Sequence, residues 1–253
     1  MSPQKPQRSK SYLPFVIIGV VLLAVVAASA LLMRPKETSP AAQPNYTSNA
    51  PANTTSNAAP SAPSAPARRV GAPGAQPPHT KGGQSAAVVI EEFADYQCPP
   101  CGSMHPVLQK IVDDYGERVR VVFRNFPLQS IHKNAFTAAR AAEAAALQGK
   151  FWQMNDMIFK NQDAWKDSPE PRPIFQSYAS RLGLNVEKFK TDMEQQSVTS
   201  RIIADAERGG SLGVGSTPTL FLNGRELTAD QSLSETKLRA QIDAALAAAK
   251  PLQ

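Results

Sequence analysis

Cysteine is nearly missing from this sequence: Cys98 and Cys101 are the only two in 253 residues. Histidine is almost as scarce, with His79, His105 and His132 alone. Acidic residues are all but absent from positions 1–84, where Glu37 stands against eight Lys and Arg, whereas residues 85–253 hold 19 bases and 20 acids. The formal charge of +6 therefore belongs to the N-terminal third. The remainder carries no basic footprint for nucleic acid, and no nucleic-acid partner is expected.

Charge is missing altogether from Leu13 to Met33, LPFVIIGVVLLAVVAASALLM, which follows Lys5, Arg8 and Lys10. As a helix this run is long enough to cross the roughly 30 Å hydrocarbon layer. The competing reading is a cleaved signal peptide, since Ala28-Ser29-Ala30 has the small-x-small form of a cleavage site. The apolar run continues past that site, which favours an uncleaved anchor. Bases before the span favour a cytoplasmic tail over 1–12, although Arg34 and Lys36 follow the span and weaken the asymmetry. Residues 37–84 lack what a core needs: with nine prolines, and Tyr46 and Val70 as the only sizeable apolar side chains, they read as a disordered linker. Such a tether reaches roughly 40 Å or more.

Regular patterning begins at residue 85. The β-branched run AAVVIEEFA, 86–94, predicts a buried strand. After it, Met104, Val107, Leu108 and Ile111 keep helical spacing up to Gly116, and RVRVVFRNFP, 118–127, predicts a second strand, parallel to the first through the helical crossover. Helical periodicity then dominates about 128–213, including segments near 173–183, 186–195 and 197–209. TPTLFLNGREL holds two short strands around Asn223-Gly224, a hairpin signal. A last helix is predicted to open on a capping box at Ser232–Glu235.

The cysteines sit in QCPPC, 97–101. Pro99 and Pro100 suit the first turn of a helix, where a missing N–H costs nothing, so Cys98 falls at or near the N-cap. There the helix dipole and free backbone N–H groups favour thiolate over thiol, and thiolate is the attacking species in disulfide exchange. A second thiol three residues on can attack the resulting mixed disulfide. Two other readings compete. A staple closing so short a loop would remove little unfolded-state entropy. A metal site could use Cys98, Cys101 and His105, but it needs a fourth ligand that His79, in the linker, and His132, at a later helix start, do not obviously supply. Gly102 excludes the haem-attachment pattern.

The stretches VIEEFADYQCPPCGSMHP and GVGSTPTLFLNG, with the helical insertion between them, resemble the DsbA-like branch of the thioredoxin superfamily over about residues 85–250. The resemblance implies an α/β thioredoxin fold with an inserted helical domain, Cys98 as nucleophile and Cys101 as buried resolving thiol. It implies a cis Thr217-Pro218 bond facing the cysteines, with Thr217 holding the substrate strand through its main chain. Glu92 matches the family's buried acid, whose pKa burial would raise, making it a proton shuttle for the resolving thiol. Glu91, on the opposite face, and His105 are expected to be solvated, and Asp95 reads as a loop acid without a role. Pro106 matches a helix kink. Pro100 departs from the family pattern, which generally has histidine there; two prolines remove two donors, so the Cys98 pKa should be less depressed than in strong oxidases.

The sequence thus predicts a thiol–disulfide oxidoreductase in the domain 85–253, needing no cofactor beyond the Cys98–Cys101 disulfide and no metal. It is expected to be a monomer anchored singly in a bacterial inner membrane, with its catalytic domain outside the cytoplasm. Its partners would be thiols and disulfides of secreted or envelope proteins and a membrane or extracytoplasmic redox partner. Oxidase and reductase or isomerase directions stay open. The alternative is a metal-binding chaperone or a redox-silent peptide-binding module on the same fold.

Overall fold

The computed structural model describes residues 71–249. The tail, the expected membrane span 13–33 and most of the linker lie outside the described residues. Among the described residues no helix is long and apolar enough to cross a membrane.

Five strands form one mixed sheet: β1 (His79–Gly82), β2 (Val88–Ala94), β3 (Val119–Asn125), β4 (Thr219–Leu222) and β5 (Arg225–Glu226), in the order β1-β3-β2-β4-β5. β2 and β3 run parallel, joined by helix α1 (Pro99–Tyr115); every other neighbour is antiparallel. Between β3 and β4 come the helices α2 (Ala135–Ala146), α3 (Phe151–Lys160), α4 (Gln162–Trp165), α5 (Arg172–Arg181), α6 (Val186–Met193) and α7 (Gln196–Leu212). The short α8 (Ala229–Ser232) and α9 (Glu235–Ala248) follow β5.

Alternation along β2 sorts its side chains between two layers. Val88 and Ile90 pack with Met104, Leu108 and Ile111 of α1, with Leu238 and Ile242 of α9, and with Val119, Val121, Leu220 and Leu222 of the neighbouring strands. Phe93 faces the other way, against Phe221, Leu212 of α7 and Val214. The helical insertion has its own core around Met154, Ile158, Trp165, Phe175 and Phe189, and Tyr96, Cys98, Cys101 and Phe123 belong to it. The cysteine loop is therefore the seam between sheet and insertion.

Three local readings differ from the sequence. The linker expected over 37–84 overlaps β1, which pairs His79 with Phe123 through Gly82 with Arg120; an isolated four-residue edge strand gives no periodic signal. His79, expected in the tether, stacks on Phe151 at a 3.4 Å centroid distance and lies 3.0 Å from Glu143. The capping box is formed by Thr228 and Gln231 on α8, not by Ser232 and Glu235. Ser232 is spent on the Thr228 carbonyl, and Ser234 caps α9 by accepting from the Lys237 N–H. The Asn223-Gly224 turn is as expected, with φ values of 49° and 80°, the left-handed pair a type I′ hairpin requires.

Candidate active site

α1 starts immediately after Cys98. That residue, with φ −70° and ψ 121°, is the N-cap, and Pro99 and Pro100 occupy the first two helical positions. The prolines forfeit no intrahelical bond but leave the Cys101 N–H as the first backbone donor toward the Cys98 sulfur. From the far side of the sheet the chain returns through Thr217-Pro218, a cis bond, into β4. It places the Thr217 carbonyl 3.3 Å from the Cys98 thiol, which donates to it.

Both cysteines are free thiols, Cys98 6% and Cys101 0% exposed. Their acidities are pulled apart. Cys98 is lowered to about 6, chiefly by a hydrogen bond from the Cys101 thiol, against the effect of burial and with help from Thr217 and the Cys101 backbone. The Thr217 hydroxyl is buried without a hydrogen-bond partner. Cys101 is pushed well above the ordinary thiol range by burial, by that same hydrogen bond and by the charges of Cys98 and Glu92. The two shifts favour Cys98 over Cys101 as the site of the first thiolate.

Glu92 lies under this pair on the α1 face of β2, between Phe123 and Leu220 in register. It is 4% exposed and its Oε1 has no hydrogen-bond partner. Burial alone raises its pKa to about 8, so near neutrality the group can both take and give a proton. Glu91 points to the opposite face, as alternation demands, but is not solvated. Arg208 of α7 grips it with two bonds of 2.7 Å and Arg124 adds one of 2.8 Å. These arginines hold its pKa below the usual carboxylate range although burial opposes them. His105 likewise is buried rather than solvated: it stacks on Phe159 at 4.9 Å and approaches Asp156 at 3.1 Å. α1 runs on through Pro106.

Several polar residues that carried no sequence signal fix the loop. Asp95, far from idle, is 1% exposed and accepts from the backbone N–H groups of Gln97 and Leu128 while its carboxylate pairs with His132 at 2.8 Å. Gln97 donates to the Lys166 carbonyl and accepts from the Asn134 N–H. Gln162, on α4, donates to the carbonyls of Tyr96 and Cys98 at 2.7 and 2.9 Å. Amides of this kind have no spacing rule, and only the tertiary fold brings them to the loop.

His105 is committed to Asp156 and Gln109, and among the described residues no three His, Cys, Asp or Glu side chains converge as metal ligands.

A family profile described as thioredoxin matches residues 75–244. The chain belongs to the thioredoxin family. Its fold is similar to that of alpha-DsbA1 from Wolbachia pipientis, at 20% identity and a TM-score of 0.59 over 69% of this chain and 93% of that one. A thioredoxin-like oxidoreductase from Silicibacter pomeroyi is 27% identical, with a TM-score of 0.55 over 66% of this chain and 91% of that one. BdbD from Bacillus subtilis shares the fold at 21% identity and a TM-score of 0.58, over 71% of this chain and all of BdbD. The chain is also 38% identical over 147 residues to Na(+)/H(+) antiporter NhaA 3 of Salinispora tropica, a match spanning 58% of this chain but 22% of the antiporter.

Proposed function

We propose that this thioredoxin-family chain is a thiol–disulfide oxidoreductase that exchanges disulfides with secreted or envelope proteins, held at the outer face of a bacterial cytoplasmic membrane by residues 13–33. The observation that carries the reading is the divided pair: Cys98 at a helix N-cap with its pKa lowered to about 6, touching the Thr217 carbonyl, above a buried Cys101 of raised pKa.

The chemistry follows from that division. In the reducing direction the Cys98 thiolate attacks a client disulfide, forming a mixed disulfide and expelling one client thiolate. Cys101 gives its proton to the Glu92 carboxylate and attacks the Cys98 sulfur; the Cys98–Cys101 bond forms and the second client thiolate leaves. In the oxidising direction a client thiolate attacks Cys98 of the disulfide and Cys101 leaves with the bonding pair, recovering a proton from Glu92. A second client thiol then displaces Cys98, a good leaving group because its thiolate is stable. The Thr217 carbonyl, next to Cys98, supports main-chain pairing with an extended client, and Pro218 fixes the entry to β4. No cofactor takes part in either direction.

The test is a trapping experiment on the full chain with a disulfide-bonded peptide. Cys101→Ser should accumulate a covalent peptide adduct that thiol reductant releases, and Cys98→Ser should form none. Peptide binding that persists without either cysteine would instead support the redox-silent module.

A further inference from the structure

One cavity lies beneath the active site, apart from the client-facing surface. It has room for about 20 Å³, enough for one water. Glu92, Asn155, His105, Gln109 and Lys81 are among its walls. Two buried acceptors on those walls lack partners: Glu92 Oε1 and Asn155 Oδ1. A water has two hydrogens to donate and answers both.

Beyond the cavity the polar groups continue outward. His105 Nε2 is 3.1 Å from Asp156 Oδ1, and the Gln109 amide lies 2.7 Å from the same nitrogen and 2.9 Å from the same oxygen. The Asp156 side chain is 29% exposed and pairs with the exposed Lys160 at 2.8 Å. A continuous polar line thus runs from Glu92 through a water-sized space to the surface of α3.

We propose that this line is the proton exit of the site, in which His105, paired with Asp156, relays protons between the cavity water beside Glu92 and solvent. The inference rests on the exchange reading above. Below its raised pKa Glu92 rests protonated, and it must shed that proton before it can accept the one on Cys101. The cavity water takes that proton while passing one of its own to the His105 imidazole, and the imidazole, which meets Asp156 through Nε2, releases a proton toward Asp156 and bulk water. The imidazole is neutral at rest, because burial lowers its pKa despite the opposing hydrogen bond to Asp156. The charges around it are Asp156 and Lys160 from α3, Lys81 from β1 and, across the cavity, Glu92. His105 acts through Glu92 and does not touch the client.

The experiment is stopped-flow exchange of the full chain with oxidised glutathione, resolving Cys98 attack from the later attack of Cys101, across the pH range that spans the Glu92 titration. Below that pKa resolution waits for Glu92 to deprotonate through the exit; above it the carboxylate is already formed. His105→Gln and Asp156→Asn should therefore slow resolution about tenfold on the acid side, converge with wild type on the alkaline side, and leave the attack phase unchanged. Equal slowing at every pH would reduce His105 to packing, and unchanged rates in both variants would close the route; either overturns the relay while leaving the exchange reading intact. Lys81→Met reproducing the effect in place of the two variants would assign the exit to β1 and overturn it too. If wild type forms no mixed disulfide, the exchange reading itself falls, and the relay with it.

Discussion

At Glu92 a single side chain trades stability for chemistry. Its pKa of about 8, against an ordinary 4.5, means that the folded chain binds this proton more tightly than the unfolded one. Folding stability therefore falls as pH rises from the unfolded pKa to the folded one, by about 1.4 kcal/mol per pH unit and a few kcal/mol in all, and the loss stays constant above it. Glu92→Gln keeps the shape and removes the titration. Urea unfolding should show the variant gaining on wild type across that window and level with it in acid; a pH-independent difference would contradict the buried, uncompensated carboxyl. Under the proposed exchange the same group serves Cys101. Cys98 shows the opposite sign. Its lowered pKa stabilises the reduced fold fully above the ordinary thiol value, a contribution lost as pH falls through about 6.

The elements were legible from sequence in proportion to their periodicity. β2, α1, β3 and the β4–β5 hairpin announce themselves through β-branched runs, helical spacing and Asn223-Gly224, and the two prolines place Cys98 on a helix N-terminus. β1 was hidden because its four residues lie at the end of a proline-rich stretch and pair with a strand forty residues away. Glu91 and His105 were misplaced for one reason: charge suggests solvent, and only tertiary contact shows the Arg124–Glu91–Arg208 cluster or the Asp156 that receives His105. β1 has a measurable role. The segment entering it supplies the Ala75 carbonyl to Arg124 and the Ala75 N–H to Asp205, and His79 to the Glu143–Arg201 pair. A chain starting at residue 85 should unfold several kcal/mol more readily than one starting at residue 71, since buried charges lose their partners. Equal denaturation midpoints would show that β1 is dispensable.

At the scale of the described residues, sheet and helical insertion meet at one seam, and the groups the proposed exchange uses lie along it: Cys98 at the N-cap of α1, Cys101 one turn in, Thr217 entering β4, Glu92 beneath. Gln162 and Asn134 tie the insertion to the cysteine loop, so the insertion is a structural part of the site. Pro99 and Pro100 offer Cys98 no N–H donors, and its pKa, lowered to about 6 chiefly by the Cys101 thiol, lies between those of thioredoxin and DsbA, roughly 7 and 3.5. The reduction potential of the Cys98–Cys101 pair in the intact protein, equilibrated against glutathione and dithiol buffers, tests this account most directly. It predicts a single two-electron transition between roughly −120 and −270 mV, on the thioredoxin side of that interval. Failure of the pair to form an intramolecular disulfide at any poise would contradict it.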